Sequence, residues 1–174
     1  MNPMHQKNDM ALNKLAWLGL ILLASSASAQ LFSTNPLWSE SEVPAPPAFG
    51  KDRLIPINMP RHVSVRLGVD PGTLAMTPDG VVRYVVVAIN ESGSMNAMYE
   101  GIRCASAEVT TYARFSSNGP WVSVQDPQWQ DLSGSLPSKH ALALARQGVC
   151  EGRSVASSSA AGIISKLKAP KMDY

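Results

Sequence analysis

Apolar and polar residues alternate along residues 62–70. Val63, Val65, Leu67 and Val69 stand against Ser64, Arg66 and Gly68. A period of two sorts side chains onto opposite faces, so this stretch predicts a half-buried strand. Residues 70–73 (DPGT) and 77–80 (TPDG) then supply turns, each with proline at its second position. Over residues 81–90 (VVRYVVVAIN) the alternation stops, and both faces are apolar from Tyr84 to Ile89. That composition suits a central strand covered on both sides. Residues 91–94 (ESGS) read as a hairpin turn. Strands follow over 95–104 and 108–115, a turn over 116–120, and a short edge strand over 121–124, ended by DPQW at 126–129.

A helical pattern emerges over residues 136–150, LPSKHALALARQGVC. Ser138 suits an N-cap, the residues after it are good helix formers, and Gly148 is placed as a stop beside Cys150. Together these elements predict an α+β domain over residues 53–151, a small antiparallel β-meander sheet with a C-terminal helix packed on it. Residues 30–52 hold Pro36, Pro44, Pro46 and Pro47. Proline lacks the backbone donor that a central strand needs, so this segment reads as an extended arm. Residues 152–174 are rich in serine and alanine. They offer little bulky surface to offset ordering entropy, and read as a loose low-complexity tail with at most a turn or two of helix in AGIISKLK.

The first 29 residues change where this domain is expected to work. Lys7 and Lys14 precede the apolar run LAWLGLILL, and Ala27-Ser28-Ala29 is a small-x-small site. The run is short of the roughly 20 residues a bilayer anchor needs. Residues 1–29 therefore read as a secretory signal peptide cut after Ala29. Periplasmic or secreted localisation follows, with no stable membrane anchor after cleavage. The chain carries Lys+Arg 15 and Asp+Glu 13. Losing Lys7, Lys14 and Asp9 leaves a net charge of about +1, too weak a field to steer nucleic acid. In an oxidising compartment the two cysteines, Cys104 and Cys150, read as one disulfide.

A resemblance rests on an ordered set of short motifs. RYVVV (residues 83–87) precedes a Ser-Gly turn, and EGIRC (100–104) is followed by Tyr112-Ala113. NGPW (118–121), PQW (127–129) and a histidine-bearing KHALALARQGVC (139–150) come next. In this order, over roughly residues 37–151, the chain resembles the cryptic neisserial protein-like family of exported bacterial proteins. The resemblance implies export and a small domain. It carries no activity or catalytic residues to transfer.

Candidate chemistry is sparse. Cys104 and His140 have the types of a nucleophile and base, with Glu100 or Asp131 to orient the imidazole. A Cys104–Cys150 disulfide removes that thiolate. The mature part has two histidines, His62 and His140, and no CxxC, HxxxH or HExxH, so no metal site is expected. There is no GxSxG elbow, Gly-rich phosphate loop or dinucleotide fingerprint, so no catalytic residue and no cofactor is assigned. Ser92 and Ser94 are explained by a turn. The sharpest cluster is Glu100, Arg103 and His140. Glu100 and Arg103 are three apart on a strand and point to opposite faces, unless Gly101 bulges it. Trp38, Trp121, Trp129, Tyr84, Tyr99 and Tyr112 suit either a core and its lid or a ligand groove. The function expected is a non-catalytic cell-envelope module that binds an unidentified envelope protein or ligand. The alternatives are an enzyme using Glu100, Arg103 and His140, and a structural envelope factor.

Overall fold

A computed structural model describes residues 37–60, 63–117 and 119–169. The expected signal peptide and His62 lie outside the described residues. The strands are β1 (Ile55–Pro56), β2 (Arg66–Val69), β3 (Ala75–Met76), β4 (Val81–Ile89), β5 (Met95–Arg103), β6 (Glu108–Ser116), β7 (Val122–Ser123) and β8 (Gln130–Asp131). They form one antiparallel sheet in the order β1-β2-β4-β5-β6-β7, with β3 also on β4 and β8 also on β6. Helix α1 (His140–Leu144) runs into a π-helical turn over Ala145–Val149. A small hairpin of β9 (Cys150–Glu151) and β10 (Ser154–Val155) leads to α2 (Ala160–Lys168). The fold is α+β.

Turn chemistry explains the meander. Asn90 closes the β4–β5 hairpin by donating its N–H to Ser94 O at 3.1 Å and accepting from Ser94 N at 2.8 Å through its side chain. Ser92 Oγ donates to the same Asn90 oxygen at 2.7 Å. Gly93 takes a φ of +82°, which glycine adopts without steric cost. Of the strand expected at 62–70, Arg66–Val69 forms the strand.

Apolar cover lies on both faces of the sheet, as the doubly apolar β4 requires. One face presents Val82, Tyr84, Val86 and Ile102 to Leu144, Val149, Ile163 and Leu167 from the helical layer. The other presents Val85, Val87, Ala97 and Tyr99 to Val43 and Phe49 of the proline-rich arm. The arm is thus half of the core cover. A disulfide joins Cys104, at the end of β5, to Cys150, where the π-helical turn ends.

The C-terminal segment departs from the expected loose tail. Ser159 caps α2 by accepting from Gly162 N at 3.1 Å, and Ile163 and Leu167 are buried. Burying two such side chains contributes roughly 1.5–3 kcal/mol each, enough to order a short helix that composition alone would leave unordered. Gly148 permits the contact: a Cβ there would stand 3.0 Å from Lys166 Cβ and 3.1 Å from the Lys166 backbone carbon. Gln147 completes it, donating to Pro56 O at 2.8 Å and Leu167 O at 3.0 Å and accepting from Asn58 N at 2.9 Å.

Candidate functional site

One irregularity in the sheet sets the site. β5 and β6 keep register from Arg103 opposite Glu108 to Glu100 opposite Thr111, and then Tyr99 pairs with Ala113. Tyr112 is the extra residue, a β-bulge on β6. Under strict alternation Ala113 would share the helix-facing side with Thr111, and Arg114 would face the arm. With the bulge, Tyr112 and Ala113 both join the arm-side core. Arg114 then stands opposite Met98 on the helix side. The bulge re-aims one cation onto the face that carries Glu100.

Glu100 is buried there among hydrogen-bond donors. Its Oε2 accepts from Tyr84 Oη at 3.0 Å and stands 2.9 Å from His140 Nε2, while Thr111 Oγ1 donates to Oε1 at 3.4 Å. The other ring nitrogen of His140, Nδ1, is 2.9 Å from Ser138 Oγ. Glu100 and His140 are 2 % and 6 % exposed. Burial pushes the imidazole pKa down, but the charge and hydrogen bond of Glu100 outweigh it against a further opposing push from Arg114, and His140 titrates above 6.5. Burial and Glu100 together raise the Tyr84 phenol far above its ordinary range. Glu100 therefore favours the protonated form of His140, and the two side chains are hydrogen-bonded to each other and to Tyr84, Thr111 and Ser138.

Beside this network lies a cavity of about 110 Å³ between β5, β6 and the segment entering α1. Its apolar wall is Met98, Val109, Leu136, Pro137 and Ala141; its polar wall is Glu100, Thr111, Ser138 and His140, with Arg114 and Gln130. Arg114 is exposed, and its guanidinium donates to Met98 Sδ at 3.3 Å. A thioether is a weak acceptor, so this cation is poorly matched within the protein.

Arg103 does not join the cluster. Alternation along β5 sends it to the arm face, where its guanidinium lies 3.7 Å from the centre of the Trp38 ring and 3.9 Å from Glu108 Oε2. Gly101 produces no bulge on β5. Asp131 is also elsewhere, exposed on β8 and accepting from Ser133 N and Oγ at 2.7 Å each. Cys104 is oxidised and cannot serve as a thiolate.

The arm face holds a second polar cluster. Glu40 accepts from Arg83 Nη2 at 3.3 Å and Trp129 Nε1 at 3.1 Å, and from the Tyr112 hydroxyl. Arg83 also donates to Ser41 O at 2.8 Å and Glu42 O at 3.0 Å. Trp38 donates to Asp79 O at 2.9 Å, and Ser41 N to Asp79 Oδ2 at 2.6 Å. These bonds fix the arm to β4 and β6, to the turn before β4 and to Trp129 ahead of β8. The aromatics divide accordingly: Tyr84, Tyr99 and Tyr112 are core, while Trp38 and Trp129, edge to face at 5.7 Å, close the arm over it.

Sequence reasoning named Glu100 and His140 but missed Tyr84, Thr111 and Arg114 as their neighbours, and gave Ser138 only a capping role. Period-two counting from β5 would have found Tyr84 opposite Glu100. Arg114 had no such signal, because the bulge inverts the count.

Comparison with known proteins places the chain. Residues 33–168 match the family model described as CNP1-like. A curated relative, Cryptic neisserial protein 1 from Neisseria gonorrhoeae, is 29% identical over 103 residues, covering 52% of this chain and 50% of the relative. The chain thus spans about half the length of the curated relative it matches. No solved structure matches. The family match takes in the arm and α2 as well as the sheet between them, and the chain belongs to the CNP1-like family.

Proposed function

We propose that this protein is exported by its N-terminal leader, cut after Ala29, and acts in the periplasm or outside the cell as a non-catalytic binding module of the envelope, taking a small ligand in the Glu100–His140 cavity. A disulfide is the chemistry of a non-cytoplasmic compartment, which supports export. Among the described residues no helix is long and apolar enough to cross a membrane. The observation that carries the binding reading is the division of labour in the cavity wall. Glu100 and His140 are bonded to each other and to Tyr84, Thr111 and Ser138, which leaves a rigid polar patch facing an apolar wall. A pocket of that make-up orients a bound molecule.

The test is ligand-observed NMR of the mature protein against the low-mass fraction of an envelope extract. Bound signals are expected with the wild type and not with Leu136→Trp, which places a larger side chain at the cavity wall, provided both unfold at the same temperature. Equal signals, or none with the wild type, overturn the reading. Mass spectrometry of the exported product checks the leader: its first residue is expected to be Gln30.

A second reading, catalysis, is favoured by one observation: Ser138 Oγ, His140 and Glu100 form a relay with both links at 2.9 Å. Those are the residue types of a nucleophile, a base and its orienter. Turnover of short-chain nitrophenyl esters by the wild type, lost in Ser138→Ala, would establish it; equal rates would remove it.

A further inference from the structure

We propose that the ligand of this cavity is a small carboxylate, its acid group held by Arg114 and its compact apolar body lodged against Met98, Val109 and Leu136. This rests on the binding reading above and names the chemistry that fills the site. Three independent observations support it.

The first is the bulge. Tyr112 interrupts alternation on β6 immediately before Arg114, and thereby turns that guanidinium from the arm face to the cavity face. β-Bulges recur beside functional sites, where they redirect a side chain. The bulge packs Tyr112 and Ala113 into the arm-side core, and Arg114 itself gains little packing: it is exposed and its partner is a sulfur atom at 3.3 Å.

The second is the charge balance. The titratable groups lining the cavity are Glu100, His140 and Arg114. Glu100 and His140 are engaged with each other at 2.9 Å. Arg114 carries a positive charge that has no ion-pair partner among the described residues. A guanidinium presents a planar fork of N–H donors that fits a carboxylate through two parallel bonds. Binding a cationic ligand would instead require separating Glu100 from His140 or screening Arg114.

The third is size. About 110 Å³ holds about four waters at liquid density, room for a short alkyl chain or a single ring. The apolar wall offers that body its favourable surface, and Ser138 Oγ on the polar wall offers a hydroxyl.

Titration of the wild-type protein with four probes, followed by methyl and imidazole NMR signals of Val109, Leu136 and His140, tests this. The probes are benzoate, hexanoate, benzyl alcohol and benzylamine. Benzoate and hexanoate are expected to move these signals and to bind at least about tenfold tighter than benzyl alcohol, as a hydrogen-bonded charge warrants. Arg114→Gln is expected to erase that advantage and leave benzyl alcohol binding unchanged, while Arg114→Lys retains part of it. Arg114 is exposed, so both variants are expected to unfold at the wild-type temperature. Benzyl alcohol or benzylamine binding as well as benzoate would overturn the carboxylate assignment and leave cavity binding intact. No response to any probe would also overturn it, and the extract experiment with Leu136→Trp would then decide the binding reading separately.

Discussion

Glu100 Oε2 and His140 Nε2 stand 2.9 Å apart across 40 positions of sequence, joining the middle of β5 to the first turn of α1 inside the core. The contact makes stability depend on pH with a definite sign. His140 titrates above 6.5 in the fold, while an unfolded histidine titrates near 6.5. A raised folded value adds stability that is fully present below about pH 6.5 and is lost as pH rises through the folded pKa. Urea midpoints are therefore expected to fall between about pH 6.5 and the folded pKa, and that fall is expected to vanish in His140→Gln. Glu100→Gln should carry the His140 ring titration below 6.5, since burial and Arg114 then act unopposed. Glu100→Ala should cost about 3–5 kcal/mol, the usual result of removing one partner from a buried pair. A flat wild-type profile would show that the pair carries no net charge coupling.

The arm is held by one carboxylate more than by its prolines. Glu40 takes hydrogen bonds from Arg83, Tyr112 and Trp129, and the Arg83 side chain is only 4 % exposed. Glu40→Ala leaves three donors short of their shared acceptor. A buried donor left unsatisfied costs about 1–3 kcal/mol. Lower stability, a red shift of tryptophan emission as Trp38 and Trp129 become wet, and earlier protease cleavage within residues 37–52 are expected together. Unchanged cleavage would mean that Val43 and Phe49 suffice to hold the arm.

Reduction acts on a different part of the fold. Cys104 and Cys150 are 46 positions apart, and cross-linking a loop of that length is worth about 4 kcal/mol on the chain-entropy model. Cys104→Ala/Cys150→Ala is expected to lower the denaturant midpoint by a corresponding amount. The ring titration of His140 should persist in it, because Glu100 is held by Tyr84 and Thr111 as well.

Legibility in the sequence tracked the range of the forces involved. Alternation, turn residues and β-branched runs are local, and they located β4, β5, β6 and the hairpin turns. The disulfide followed from cysteine count and compartment. α2 was not legible, because Ile163 and Leu167 order only against Gly148 and the core beyond it. Nor was the length of the helix: a π-helical turn replaces the second half of the expected α-helix at Ala145–Val149. The site was half legible. Glu100 and His140 were named from residue type, while Arg103, expected in the same cluster, lies against Trp38 on the other face. Arg114 depended on a single inserted residue, and nothing in Tyr112 itself announces a bulge.

Gly101 is required, though not to bend its strand. Its partner across β6 is Thr110, in regular register, and the Tyr112 side chain comes to rest over it. A Cβ at Gly101 would overlap the Tyr112 hydroxyl, stand 3.0 Å from Tyr112 Cζ and 2.9 Å from Val81 Cγ1. The bulge that carries Arg114 into the cavity therefore needs a residue without a side chain next to Glu100, to receive the displaced ring. Gly101→Ala is expected to cost about 1–3 kcal/mol through overpacking. Tyr112→Phe removes the atom that Cβ would strike, so Gly101→Ala should cost less in that background than alone. Thermal or urea unfolding of the two single variants and the double measures that coupling. Strict additivity would mean that Tyr112 does not lean on Gly101.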